Sequence, residues 1–490
     1  MSRRPKTMSF IEKLREQTSY TLTENGALTH STTLKAVLDL FAMGGAIRTR
    51  EKSEVEKLFI AAFSEDKALA LKCLFYLRDI RGGQGERQTF RTIMKYMAEY
   101  HPDQIMHLLH LIPTYGRYDD LYVFVGTPLQ ENALNHLKNA TTVGHVAYDP
   151  LAFKWLKSCN TSSRESCKIG SITRKHFGMD AKTYRKFLTA GRAKVAGLVE
   201  IPMSRREFGK INYEQVPSKA GLKYRKAFSK RDAERYVAYL ESVKKGDKKI
   251  NAGTLYPSDL VHKARNGDRS ATVEALWKAL PDYVQKEQNA LVMADVSGSM
   301  TLAYGQSTQP MDVSVALALY FAERNKGPFK DHYLTFTSHP KIQKVQGNNL
   351  FEKLSFIEKS DVGYDTNLQA AFDLILTTGM SQRIPQEEMP RTIYVISDME
   401  FNSGQVVGIT NHELIKAKYM AAGYKMPQLV YWNVSSRQNN VPVKYDEHGV
   451  CLVSGYSPTL FRQVMENKNP VQLMLEVLNA ERYKPIVSVI

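Results

Sequence analysis

Three short polar segments in the C-terminal part of the chain hold residues whose types and spacing suit metal binding. Asp295-Val-Ser297-Gly-Ser299 follows an apolar run of strand length, Thr366 stands just before a helical pattern, and Asp398 ends the apolar run TIYVIS. Carboxylate and hydroxyl oxygens are hard ligands that suit Mg²⁺ or Mn²⁺ rather than zinc or copper. The sequence therefore predicts a site for Mg²⁺ or Mn²⁺ formed by Asp295, Ser297, Ser299, Thr366 and Asp398.

The elements that must position these segments follow from hydrophobic patterning after about residue 288. Apolar runs such as ALVMA, TIYVIS and QLVYWN alternate with helical patterns such as MDVSVALALYFAERN. This alternation predicts a doubly wound α/β domain over residues 286–490, with a parallel sheet covered on both faces. Open sheets of this kind bind ligands beyond the carboxyl ends of their strands, where the three polar segments are expected to meet.

The first 285 residues show a helical pattern instead. Leu34, Val37, Leu38 and Phe41 follow the i, i+3, i+4, i+7 spacing, and similar stripes recur around residues 55–62, 71–77 and 90–97. Short polar turns between amphipathic helices favour antiparallel neighbours. We predict an all-α domain over residues 1–285, built as a stacked array of helical repeats without a fixed sequence period.

Positive charge is concentrated in one part of the chain. Residues 1–285 hold 48 Lys and Arg against 30 Asp and Glu, whereas residues 286–490 hold 19 against 20. Residues 151–250 alone hold 25 against 9. Such segregation predicts a polyanion-binding surface on the helical domain beside an electrically neutral domain.

The D-x-S-x-S loop, Thr366 and Asp398 resemble the metal-ion-dependent adhesion site of von Willebrand factor A domains. Most of the chain resembles a TROVE/Ro-like family, on the segments RDIRGGQGER, IPTYGRYDDL, INYEQVPSKAGLKYRKAF and INAGTLYPSDLV. The resemblance to the Ro autoantigen itself, which joins a TROVE domain to an A domain, is one of architecture. The resemblance implies a HEAT-like helical domain that can close into a ring and bind small structured RNA or free RNA ends. It also implies that the metal takes its last ligand from the carboxylate of a protein partner.

If the resemblance holds, basic helices contact the RNA backbone, with Tyr184 and Tyr224 placed to stack on unpaired bases. The candidate phosphate contacts are Lys182, Arg185, Lys186, Arg192, Lys194, Arg205, Arg206, Lys223, Arg225, Lys226, Lys230 and Arg231. Basic helices are also common as solvated faces, and tyrosines at helical spacing can belong to the core. Both alternatives stay open for any single residue.

Two other functions compete with RNA binding. The first is an adaptor that recruits a protein through the metal site, whereas the second is a nuclease. The predicted metal site has no neighbouring His, Cys or Glu that could activate water, so we expect no catalytic residue and no enzyme activity. A degenerate site, in which Asp295 and the serines only cap their loop, is the structural alternative.

The remaining motifs favour structural roles. RGGQG lacks the G-x-x-x-x-G-K-[ST] pattern of phosphate loops, and we expect it to end a helix. Arg117, Asp119 and Asp120 are expected to brace two helices. Four cysteines form no C-x-x-C pair, so reduced thiols are expected. No secretory signal or membrane span is apparent, and we expect a cytoplasmic protein.

Overall fold

The computed structural model describes residues 14, 17–284, 289–302, 308–335, 337, 339–359, 366–404, 406, 408–464 and 468–487. Contacts divide the chain into two compact units. The first unit comprises Met1–Cys73, Tyr256–Asn266 and Asp282–Glu481, and the second comprises Leu74–Leu255, Gly267–Pro281 and Arg482–Ile490. This division differs from the expected single boundary at residue 285, which itself lies outside the described residues.

The first unit contains all the strands of the described residues. They are β1 (Tyr20–Leu22), β2 (Leu28–His30), β3 (Ala290–Ala294), β4 (His332–Thr335), β5 (Ile342–Lys344), β6 (Thr392–Ser397), β7 (Gln428–Asn433) and β8 (Val450–Ser454). Its helices are α1 (Ala36–Met43), α2 (Lys52–Glu65), α14 (Pro257–Arg265), α16 (Pro310–Arg324), α17 (Leu350–Lys359), α18 (Leu368–Ser381), α19 (Asn411–Ala421), α20 (Leu460–Gln463) and α21 (Pro470–Leu478).

The main sheet has six strands in the order β5-β4-β3-β6-β7-β8, and every neighbouring pair is parallel except β4 and β5. One face packs on α18 and α19 through residues such as Phe372 and Tyr419. The opposite face packs on α16 and Phe461, where the Phe321 and Tyr394 rings lie 4.9 Å apart. Helices on both faces confirm the predicted doubly wound α/β fold.

The N-terminal segment belongs to this unit because its small residues fill the α/β core. Ala27 and Ala42 are buried in the same apolar cluster as the sheet. Gly45 approaches β8 so closely that a Cβ there would lie 2.8 Å from the Ser454 carbonyl oxygen. The sequence predicts helices here, and the β1–β2 hairpin is an addition to them. Its strands are only three residues long, which is too short to give a clear sequence pattern.

The second unit is helical, as predicted for the middle of the chain. After α3 (Lys67–Arg78), which crosses between the units, its helices are α4 (Gln88–Tyr100), α5 (Pro102–Ile105), α6 (Ile112–Tyr115), α7 (Gln130–Thr141), α8 (Ala152–Trp155), α9 (Arg164–His176), α10 (Ala181–Ala193), α11 (Glu200–Ser204), α12 (Ser218–Arg231), α13 (Ala233–Lys245), α15 (Ala271–Lys278) and α22 (Lys484–Val487). Phe90, Ile93, Met94 and Met97 bury one stripe of α4, at the spacing that the sequence predicts. No helix in the described part of the chain is long and apolar enough to cross a membrane.

Candidate metal centre and nucleic-acid interface

The loop after β3 holds the first three predicted metal ligands. Asp295 is 1% exposed, and its carboxylate accepts hydrogen bonds from the Ser297 backbone N–H at 2.9 Å and the Ser397 hydroxyl at 2.6 Å. A 3₁₀ turn over Gly298–Thr301 follows directly, and the Ser297 and Ser299 hydroxyl oxygens lie 3.2 Å apart. The loop therefore presents one carboxylate and two hydroxyls side by side.

Asp398 joins them because β3 and β6 are parallel neighbours. Ala294 pairs with Ile396, so the carboxyl ends of both strands meet at one edge of the sheet. Asp398 is fully buried, and its Oδ2 accepts a hydrogen bond from the Ser299 hydroxyl at 2.8 Å. The structure thus brings Asp295, Ser297, Ser299 and Asp398 together at the predicted edge.

Thr366 lies nearby through a different set of contacts. Its hydroxyl oxygen is 2.9 Å from the Glu400 carbonyl oxygen and 3.0 Å from Asn402 Oδ1. The side-chain amide of Asn25, in the β1–β2 turn, donates to that same hydroxyl at 3.1 Å. Thr366 is therefore held by Glu400 and Asn402, which belong to the segment that follows Asp398.

Sequence reasoning missed three charged residues at this edge. Arg437 Nη1 donates to Asp398 Oδ2 at 2.8 Å, and its Nε and Nη2 donate to the Glu24 carboxylate at 3.0 and 2.6 Å. Glu400 accepts from the Glu24 backbone N–H at 2.7 Å and from the Asn440 side chain at 2.9 Å. Glu400 had a signal in the sequence, since it stands two residues after Asp398. Glu24 and Arg437 had none.

Burial makes the charges in this cluster interdependent. Burial and the Asp398 charge raise the pKa of Asp295. Burial raises the pKa of Glu400 to about 6, with Asp398 and Glu24 adding to the effect. The hydrogen bond from Arg437 lowers the pKa of Glu24 despite partial burial. Burial lowers the pKa of Arg437, but Glu24 and Asp398 outweigh it and raise that pKa overall.

The donor set fits a hard divalent cation. Asp295, Asp398 and Glu400 are all buried carboxyl groups, whereas Arg437 is the cation that forms ion pairs with the cluster. Excess negative charge in a buried place is costly unless a cation or protons compensate it. The described residues hold no group of three or more His, Cys, Asp or Glu side chains arranged for a metal, and the predicted ligand set includes hydroxyl oxygens that such a group does not count.

The predicted basic surface lies on the second unit. Ten of the twelve candidate cations are exposed: Lys182, Arg185, Lys186, Lys194, Arg205, Arg206, Lys223, Lys226, Lys230 and Arg231. They are concentrated on α10, on α12 and after α11. Tyr224 is half-buried, its hydroxyl donates to Glu200 at 3.0 Å, and the Lys223 ammonium lies 4.8 Å from its ring centroid.

Arg225 and Tyr184 have internal roles instead, and Arg192 is only partly engaged by the protein. Arg225 is buried and pairs with Asp268, and Arg192 is half-buried and donates to the Leu156 carbonyl at 2.8 Å. Tyr184 is 1% exposed and donates to the Lys157 carbonyl at 2.9 Å. The stacking role predicted for Tyr184 is therefore wrong, and Arg225 is not available to an external phosphate. Leu222, Arg225 and Phe228 share one buried helical face, a spacing that already indicated this outcome.

The Arg117–Asp119–Asp120 group braces helices, as predicted. Asp120 is fully buried and accepts hydrogen bonds from Arg78 on α3 and Arg91 on α4, at 2.8 and 2.7 Å. Asp119 pairs with Arg117 and Arg91. All four cysteines are free thiols, of which Cys73 and Cys451 are buried and Cys159 and Cys167 half-buried.

Comparisons with known proteins place the chain in a family. The family model described as "Domain of unknown function (DUF2828)" matches residues 23–143 and 160–299, together more than half of the chain. The chain belongs to the DUF2828 family. A second model, "Domain of unknown function (DUF7788)", matches residues 289–483, which include all five candidate metal ligands.

Similar individual proteins come from a virus and a bacterium. "Uncharacterized protein L728" of Acanthamoeba polyphaga mimivirus is 28% identical, over 95% of this chain and 88% of its own length. The crystal structure of the Deinococcus radiodurans RO (RSR) protein is 14% identical with a TM-score of 0.37, covering 91% of this chain and 93% of that chain. At this level of similarity the resemblance to Ro-like proteins stays a prediction.

Proposed function

We propose that this DUF2828 protein binds RNA through the basic helices of its second unit. The observation that carries the proposal is the segregated charge: residues 151–250 hold 25 Lys and Arg against 9 Asp and Glu. Ten of the twelve candidate cations there point to solvent. A surface of this kind attracts the phosphate backbone with little base specificity, because the contacts are with charge rather than with base edges.

The resemblance to Ro-like proteins makes small structured or single-stranded RNA the expected ligand. A-form RNA offers phosphates and 2′-hydroxyls, and unpaired bases can stack on a half-exposed ring such as Tyr224. Tyr224 lies among the cations of α12, with Lys223 beside its ring. We place the contact surface on this helix and on α10.

We further propose that Asp295, Ser297, Ser299, Thr366 and Asp398 hold Mg²⁺ or Mn²⁺. When bound, the ion offers an open coordination position to a carboxylate oxygen of a protein partner. The site would therefore serve to dock that partner. The buried excess of carboxyl groups favours this second function. We expect no hydrolysis, since Glu400 already accepts hydrogen bonds from the Glu24 backbone and Asn440, and Glu24 accepts hydrogen bonds from Arg437.

The test of RNA binding is a salt series with a fluorescent single-stranded oligouridylate, measured by anisotropy in EDTA and again in Mg²⁺. On a single strand, a protein that makes about six to ten phosphate contacts loses about 300-fold to 10⁴-fold in affinity between 50 and 200 mM salt. The variant Lys223→Glu/Lys226→Glu/Lys230→Glu should lose binding. Lys52→Glu/Lys57→Glu, which reverses two exposed cations on α2 of the first unit, should not.

Arg225 is left unchanged in this design because its ion pair with Asp268 is internal. Equal loss in both variants would show only a general charge effect and would contradict a binding surface on α12. Binding that disappears with EDTA, or with Asp295→Ala, would transfer the function to the metal site and favour the adaptor.

A further inference from the structure

A cavity of about 580 Å³ opens in the second unit. One wall is α10, which contributes Lys182, Arg185 and Arg192, and the segment Ser158, Cys159 and Asn160 forms the other side. Small-ligand sites in proteins occupy about 300–1,000 Å³. The cavity is therefore large enough for a nucleotide.

Helical spacing aligns the cations of this wall. Arg185 lies three residues after Lys182, and Arg192 lies seven residues after Arg185. Their side chains therefore follow one face of α10. The helix is held in place at its start by Asp180, which accepts hydrogen bonds from the Lys182 and Thr183 backbone N–H groups at 2.8 Å each. The cations are thus presented by a rigid element rather than by a loop.

The positive charge of the cavity is not compensated within it. Among the described residues that line it, none is acidic, and none of the three cations forms an ion pair in the described part of the chain. Arg192 is oriented by neutral acceptors only, the carbonyl oxygens of Phe153 and Leu156 at 3.2 and 2.8 Å and the Ser158 hydroxyl at 3.2 Å. Glu200 acts on its charge at longer range. A guanidinium held in this way suits a phosphate oxygen.

We propose that this cavity binds a nucleotide through its phosphate group, which Lys182, Arg185 and Arg192 contact. Thr189 and Asn160 offer a hydroxyl and an amide for the sugar and the base edge, and Leu188 supplies apolar contact. The proposal deepens the RNA-binding function, on which it rests, by assigning one nucleotide of the RNA to a defined cavity.

Cys159 provides a reporter because it lines the cavity and is half-buried. Cys167 is also half-buried but does not line the cavity, and serves as the internal control. The rate of alkylation by iodoacetamide is followed by mass spectrometry with AMP or with single-stranded oligouridylate. A ligand at ten times its Kd occupies about nine-tenths of the sites, so Cys159 should react about tenfold more slowly while Cys167 is unchanged.

Charge removal tests the contacts. Lys182→Gln/Arg185→Gln should abolish the protection of Cys159 and weaken oligouridylate binding about tenfold, since charge-assisted hydrogen bonds to phosphate are lost. The matched control, Lys244→Gln/Lys245→Gln, removes two exposed cations at the end of α13 and should retain protection. All four residues are exposed, so we expect folded variants.

The outcomes separate the two proposals. RNA binding without protection of Cys159, and with equal affinity in the cavity and control variants, would overturn the cavity proposal and leave RNA binding intact. Protection by AMP in a protein that does not bind RNA would overturn the proposed function while supporting a nucleotide in the cavity. Protection that survives in Lys182→Gln/Arg185→Gln would contradict the assigned phosphate contacts.

Discussion

The sharpest prediction on stability concerns two adjacent aspartates of the second unit. Asp120 is fully buried and Arg78, its partner, is 2% exposed. The Asp120 carboxylate accepts from Arg78 Nε at 2.8 Å, from Arg91 Nε at 2.7 Å and from the Arg117 backbone N–H at 2.9 Å. Asp120→Asn keeps the side-chain volume but leaves the Arg78 charge buried without its counter-ion.

The expected losses of stability differ because water reaches the partners of Asp119 but not the Asp120–Arg78 pair. Breaking a buried ion pair by removing one partner costs about 3–5 kcal/mol. Asp119 has partners that water can solvate, since the Arg91 and Arg117 side chains are 28% and 26% exposed. We therefore expect Asp119→Asn to cost about 1 kcal/mol.

Hydrogen exchange measured by mass spectrometry is the suitable assay, because it reports the free energy of local opening. Peptides covering Gln88–Tyr100 should exchange about 10²–10⁴-fold faster in Asp120→Asn and about 5-fold faster in Asp119→Asn. Similar exchange rates in the two variants would refute the reasoning, because burial of Arg78 would then carry no cost.

Three further predictions concern the metal site, a buried turn and an ion pair. Mg²⁺ at 100 times its Kd should stabilise the parent protein by about 2.7 kcal/mol, which raises its melting temperature. Asp295→Asn should lose this rise. Because the pKa of Asp295 is raised in the folded protein, its ionisation destabilises the metal-free fold as pH rises. In EDTA at pH 8 the Asp295→Asn variant should therefore melt at a higher temperature than the parent. A lower melting temperature would contradict this. Gly83→Ala should cost about 1–3 kcal/mol in urea unfolding, since its Cβ would lie 2.0 Å from the Tyr76 carbonyl oxygen, whereas Gly253→Ala, with open space around it, should be neutral. His412, whose Nε2 lies 3.5 Å from the Glu447 carboxylate, and Lys416, whose ammonium pairs with that carboxylate, lower the pKa of Glu447 to about 2. Glu447→Gln should therefore lose about 1 kcal/mol of stability at pH 7, and this difference should shrink as pH falls from 4.5 towards 2. A stability difference that stays unchanged at low pH would contradict a contribution from that ion pair.

Local pattern was enough for the elements of the sheet. The run Ala290–Ala294 is buried at all five positions, as its continuous apolar character predicts. Helix α12 shows the limit of a list of residue types. Lys226 is exposed and its neighbour Arg225 is buried, because only Arg225 falls on the apolar stripe that packs inward. The helical period, applied to the cations themselves, would have separated the two.

The sequence by itself determined the doubly wound sheet, the helical middle of the chain and the position of the D-x-S-x-S loop at a strand end. These follow from patterns within about twenty residues, where backbone geometry dictates which side chains share a face. Only the tertiary structure decided that Glu24 and Arg437, 413 residues apart, pair beside Asp398, and that Ala27 and Ala42 pack with the sheet. Contacts over such distances in sequence depend on how the apolar faces of separate elements assemble. The spacing of residues within one helix or strand does not determine that.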